Sequence, residues 1–109
     1  MPEHVQHVVL FRFPRDLADD AEGELFAQVR AWPERIGGFA RLRIGRDLTG
    51  ARSRGYQYLL FAEFEDHDRL EAYVPHPVHR AFSDWIVEHG GETLAFDYAL
   101  TNEAVAFGD

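Results

Sequence analysis

Residues 5–13 alternate so that Val5, His7, Val9, Phe11 and Phe13 share one side of an extended chain, with Gln6, Val8, Leu10 and Arg12 on the other. Pro14 ends this strand. Asp16, Asp19, Asp20, Glu22 and Glu24 follow, where negative charge favours the positive end of a helix. Leu25, Val29, Trp32 and Ile36 then recur at helical spacing, widened by Phe26, which predicts an amphipathic helix ending near Gly37 and Gly38. Residues 39–48 return to period two, with Ala40, Leu42 and Ile44 opposed by Arg41 and Arg43, and Arg46 beyond Gly45. Residues 49–55 lack an apolar period and read as a loop.

A third strand over 56–64 sets Tyr56, Tyr58, Leu60, Ala62 and Phe64 against Leu59 and Phe61. Asp66 is placed to cap a helix carrying Leu70, Tyr73 and Val74, which Pro75 and Pro77 interrupt. A further helix over 77–89 carries Val78, Phe82, Trp85 and Ile86, and Gly90 and Gly91 follow it. A last strand, 93–100, alternates Leu94, Phe96, Tyr98 and Leu100 with Ala95, Asp97 and Ala99.

The order β-α-β-β-α-β predicts an α+β, ferredoxin-like fold, a four-stranded antiparallel sheet with its helices on one face. The other face is then bare, yet Val8, Leu10, Leu59 and Phe61 project there. Burying each is worth roughly 1.5–3 kcal/mol before association costs are subtracted. A second copy can supply the cover, so a homodimer through the sheet faces is expected. Val105 and Phe107, at strand spacing in the tail 101–109, are candidates to reach across it.

Composition narrows the function. At 109 residues the chain reads as one domain, with a core over about 5–100. Eleven Lys and Arg against nineteen Asp and Glu give a net charge of −8, which repels nucleic acid. No apolar run approaches the ~20 residues of a membrane span. Cysteine is absent, so disulfides, thiolate catalysis and thiolate metal sites are excluded, which suits a cytoplasmic setting. Chemistry is left to side chains such as the six histidines.

Several stretches resemble the stress-responsive dimeric A/B barrel family: His7-Val-Val-Leu-Phe-Arg-Phe, Gly55-Tyr56, Phe64-Glu65-Asp66, Phe96-Asp97-Tyr98, and most specifically Tyr73-Val-Pro-His76-Pro77-Val-His79 followed by Phe82. The resemblance runs from about Gln6 to Tyr98. It implies a dimeric α/β barrel of two ferredoxin-like subunits. It also implies, by likeness to the family's plant polyketide cyclase, that His79 is a catalytic base assisted by Tyr73, with His7 lining the pocket. Two positions depart from that cyclase: Tyr58 stands where it has a further histidine, and an aliphatic residue near Val29 where it has a pocket tyrosine.

His7, Val9 and Tyr58 fall on one strand face, so a ligand pocket lined by them, with Phe26, Val29 and Phe82 from the helices, is expected. There His79 would take a proton from carbon beside a carbonyl while the Tyr73 hydroxyl holds the oxyanion. Each residue also has a purely structural reading: a buried histidine bonded to a carbonyl, a core tyrosine, and His76 bracing the helix break. The H-x-x-H spacings of His4/His7 and His76/His79 do not assure metal geometry, and no metal or cofactor is expected. Arg41, Arg43, Arg46, Arg52 and Arg54 are expected to pair with carboxylates rather than to bind an anion. Three functions remain open: a cofactor-free cyclase, isomerase or lyase, a non-catalytic binding or stress-protective dimer holding a small apolar or aromatic ligand, and a structural role with a filled interior.

Overall fold

The computed structural model describes residues 3–101 and 103–108. Its elements are β1 (Val5–Arg12), α1 (Asp19–Arg30), α2 (Trp32–Arg35), β2 (Phe39–Arg46), β3 (Tyr58–Phe64), α3 (His67–Tyr73), α4 (Pro77–Glu88) and β4 (Glu92–Ala99). They form one four-stranded sheet in the order β2-β3-β1-β4, with every neighbouring pair antiparallel. This is the expected ferredoxin-like arrangement.

The helix expected to reach Gly37 is two helices. Pro33 has no amide to carry the hydrogen-bond ladder onward, so α2 restarts with proline in its first turn. In β2 an irregularity between Phe39 and Arg41 leaves Ala40 without a partner in β3. Phe39, rather than the expected Ala40, therefore turns inward, stacking on Trp32 at 6.3 Å between ring centroids and packing beside Phe64. Asp66 caps α3 as expected, its carboxylate accepting from the Arg69 amide at 2.9 Å.

Leu25, Val29, Trp32, Leu70, Tyr73, Phe82 and Ile86 from the helices join Val9, Phe11, Leu60, Ala62 and Phe64 in the core. By strand alternation, all these strand residues lie on the sheet face that carries His7. The opposite face forms two apolar rows across the strands, Phe61–Val8–Phe96 and Leu59–Leu10–Leu94. Leu59, Leu94, Phe96 and Tyr98 are 42%, 53%, 66% and 41% exposed. Leu94, Phe96 and Tyr98 thus enlarge the patch expected from β1 and β3. Val105 and Phe107 stand in solvent. Among the described residues, no helix is long and apolar enough to cross a membrane.

One polar cluster interrupts that face. Glu63, 3% exposed, accepts from Gln6 at 2.7 Å, from His4 Nδ1 at 2.6 Å and from Arg41 at 3.2 Å. Burial pushes its carboxyl up, but the hydrogen bonds outweigh that and hold it below the ordinary value. Arg41 and Arg46 pair with carboxylates as expected, Arg46 with Glu22 at 3.0 Å, whereas Arg43 lies over the Phe61 ring instead.

Candidate functional site in the cavity between the sheet and the helix break

A size alternation in β4 opens the cavity. Leu94, Phe96 and Tyr98 face the bare side, while Thr93, Ala95 and Asp97 face the helices opposite Phe11, Val9 and His7. These smaller side chains leave a cavity of about 360 Å³ between β1, β4, α3 and α4. The interior is therefore not filled by side chains on this side.

The prolines of the α3–α4 junction set two of the histidines. In an unbroken helix the Val78 amide would bond to the Val74 carbonyl; the turn through Pro75 and Pro77 separates them. His76 Nδ1 accepts from the Val78 amide at 3.1 Å, capping α4, and His79 Nδ1 donates to the Val74 carbonyl at 2.9 Å. A carbonyl only accepts, so His79 carries its proton on Nδ1. Nε2 of the neutral ring then has a free lone pair.

Three aromatic rings meet at one end of the cavity. Tyr73 lies 4.2 Å from His79 and 5.4 Å from His7, ring centroid to centroid, with Trp32 behind them at 5.7 Å from Tyr73. His7 Nδ1 donates to the Asp97 carboxylate, which fixes its tautomer. The Tyr73 hydroxyl and the Trp32 indole N–H are buried with no partner among the described residues. Burial, reinforced by the Asp97 charge, pushes the Tyr73 phenol up, so it remains a protonated donor. Burial lowers His79 from the ordinary 6.5, opposed by the Val74 carbonyl and aided by His7 and His76, so its neutral form is favoured.

His7, Val9, Tyr73, His79 and Phe82 thus line one cavity, and Tyr58, Phe26 and Val29 do not. Tyr58 does share the His7 face, but the register pairs it with Phe11, four residues or about 13 Å along β1. There its hydroxyl donates to Glu22 at 2.6 Å and its ring packs against Phe13 and Phe26. Val29 is sealed in the core. His4 and His7 turn to opposite faces, toward Glu63 and Asp97.

Asp97, Ser83 and Gly91 also line the cavity without having been singled out for it. An ionisable residue alternating with Phe96 and Tyr98 on a strand was the available signal for Asp97.

A family model for the stress responsive A/B barrel domain matches residues 5–100. The chain belongs to that family. Within it, a stress-response A/B barrel domain-containing protein of Arabidopsis thaliana is 26% identical over 72 residues, which cover 66% of this chain and 27% of that protein's length. Among solved structures, a dimeric ferredoxin-like protein of unknown function from Thermobifida fusca has a TM-score of 0.77 at 25% identity, covering 91% of this chain and 92% of that one. Hydroxynitrile lyase from Passiflora edulis has a TM-score of 0.81 at 17% identity, covering 96% and 100%, a likeness in fold alone. The dimeric relative and the bare apolar face together support a homodimer of this A/B barrel chain.

Proposed function

We propose that the chain is a cofactor-free enzyme that moves a proton on a small carbonyl compound, with His79 as general base and Tyr73 as donor to the oxyanion. Nε2 of His79 takes the proton from carbon beside the carbonyl, and the C–H electron pair moves into the carbonyl oxygen as an enolate. The Tyr73 O–H bonds to that oxygen, and the low-dielectric surroundings strengthen the bond. The enolate then attacks a second carbonyl, is reprotonated at another carbon, or expels a leaving group from the next carbon. These outcomes make a cyclase, an isomerase or a lyase. Asp97 orients His7 beside the pair.

The observation that carries this reading is the buried, unpartnered hydroxyl of Tyr73, whose ring lies 4.2 Å, centroid to centroid, from that of a neutral histidine on the wall of the same open cavity. A buried donor without an acceptor costs about 1–3 kcal/mol, which a ligand oxygen would recover. His79→Ala is expected to abolish turnover of a substrate found by screening β-diketones and aryl ketones, while ligand binding persists. Unchanged turnover in that variant removes His79 as the base.

A second reading draws on the apolar walls built by Phe11, Leu60, Phe82 and Ile86. The homodimer, joined through its sheet faces, would hold a small apolar or aromatic molecule without changing it, as a stress-protective protein. Thermal-shift hits with no turnover across the same screen would favour it. The cysteine-free sequence suits a reducing compartment, in either case the cytoplasm.

A further inference from the structure

The cavity carries its ionisable side chains at one end only. Along β1 it runs from His7, beside Asp97, Tyr73 and His79, to Phe11, beside Phe82, Ile86 and Thr93. Four residues separate these ends, a length of about 13 Å. A ligand filling it places an oxygen at the first end and an apolar tail at the second.

The charge around the polar end is mainly negative, and His7, bonded to Asp97, is a cation only when protonated. Among the described residues that line the cavity there is no lysine or arginine, and Asp97 is an anion in its wall. Asp97 also borders a neighbouring cleft with Glu3, Asp66, Asp68 and Glu71. Two cations answer them there: Arg69, on Asp66 at 2.6 Å, and His67 when protonated, 3.1 Å from Glu71. Glu3, Asp68 and Asp97 are among the carboxylates that give the chain its net charge of −8. Salt screens the outer carboxylates over about 8 Å at physiological ionic strength, and a carboxylate entering the cavity would also leave water without gaining a permanently charged cation.

We infer that the cavity selects an uncharged ketone or aldehyde with a short apolar tail and rejects carboxylates of the same shape. This rests on the proposed site, since it sets the carbonyl oxygen at Tyr73 and His79. It goes further by excluding anionic substrates that a His–Tyr pair alone would accept. Ala95, opposite Val9 midway along the cavity and on the solvent-exposed edge strand, sets the room through which the tail passes.

Two probes differ in this respect alone: 4-phenyl-2-butanone carries a methyl ketone where 3-phenylpropanoate carries a carboxylate. Calorimetry on the full chain at neutral pH is expected to give a ketone affinity at least about tenfold above that of the carboxylate. Asp97→Asn should narrow the difference by strengthening the carboxylate. Ala95→Phe, which fills the middle of the cavity from an exposed position, should abolish ketone binding while circular dichroism stays unchanged. Equal or tighter binding of the carboxylate, binding of neither probe, or ketone binding untouched by Ala95→Phe overturns the inference. Affinity, not turnover, is read. A chain that binds the ketone yet never turns over a carbonyl compound would sink the catalytic proposal and leave this inference standing.

Discussion

His79 has a structural partner and a free nitrogen at once. Its bond to the Val74 carbonyl settles the tautomer, and burial moves its proton affinity below the ordinary 6.5. If it is the base, kcat/KM should be level at neutral pH and fall on acidification, with an inflection below 6.5; a pH–rate profile checks this. Stability carries the same sign. The unfolded chain would protonate His79 more readily than the folded one, so its contribution is complete above 6.5 and lost as pH falls through the folded value. Glu63, held below its ordinary 4.5, likewise stabilises above that value and fails in stronger acid.

Among the elements, the α4–β4 connection leaves no room for a side chain at Gly91. A Cβ on Gly91 would stand 2.7 Å from Ile86 Cγ2, 2.8 Å from the Phe13 ring and 2.9 Å from the Ile86 carbonyl, which is backbone and cannot swing aside. Close packing between helix end and strand start is why this position needs glycine, although its backbone does not lie in the left-handed region. Gly91→Ala should cost about 1–3 kcal/mol, read as a lowered urea midpoint with an unchanged slope. The same substitution should disturb ligand affinity, because Gly91 forms part of the cavity wall.

At the scale of the molecule, the exposed rows on the outer sheet face need cover. Phe96 sits at the end of one row, opposite Val8, and is 66% exposed in the single chain. In a face-to-face dimer a charge there would be buried without a partner. Phe96→Asp is therefore expected to leave the fold intact and convert a dimer to a monomer, as read by light scattering with size exclusion. A wild type that runs as a monomer, or a variant that stays dimeric, removes this face as the interface. The Glu63 cluster lies at one end of the same face and would be enclosed with it.

Strand and helix order, the Asp66 cap and the greasy second face were legible in the chain, because each follows from local periodicity and short-range hydrogen bonding. Where the pattern misled, a distant or backbone constraint had intervened: Pro33 divided a helix that the apolar stripe ran through, and the irregularity at Ala40 exchanged inward for outward residues. The cavity depended on register. Alternation puts Tyr58 and His7 on one face but does not say how far apart pairing sets them, and only the β1–β3 alignment separates them by four residues. The pairing of β1 with β4 likewise brings Asp97 to His7 across ninety positions of sequence. Side-chain size along a strand was thus written in the sequence, while the distances that make Tyr73, His79, His7 and Asp97 a group came from strand pairing and from the helix break, which are properties of the assembled sheet.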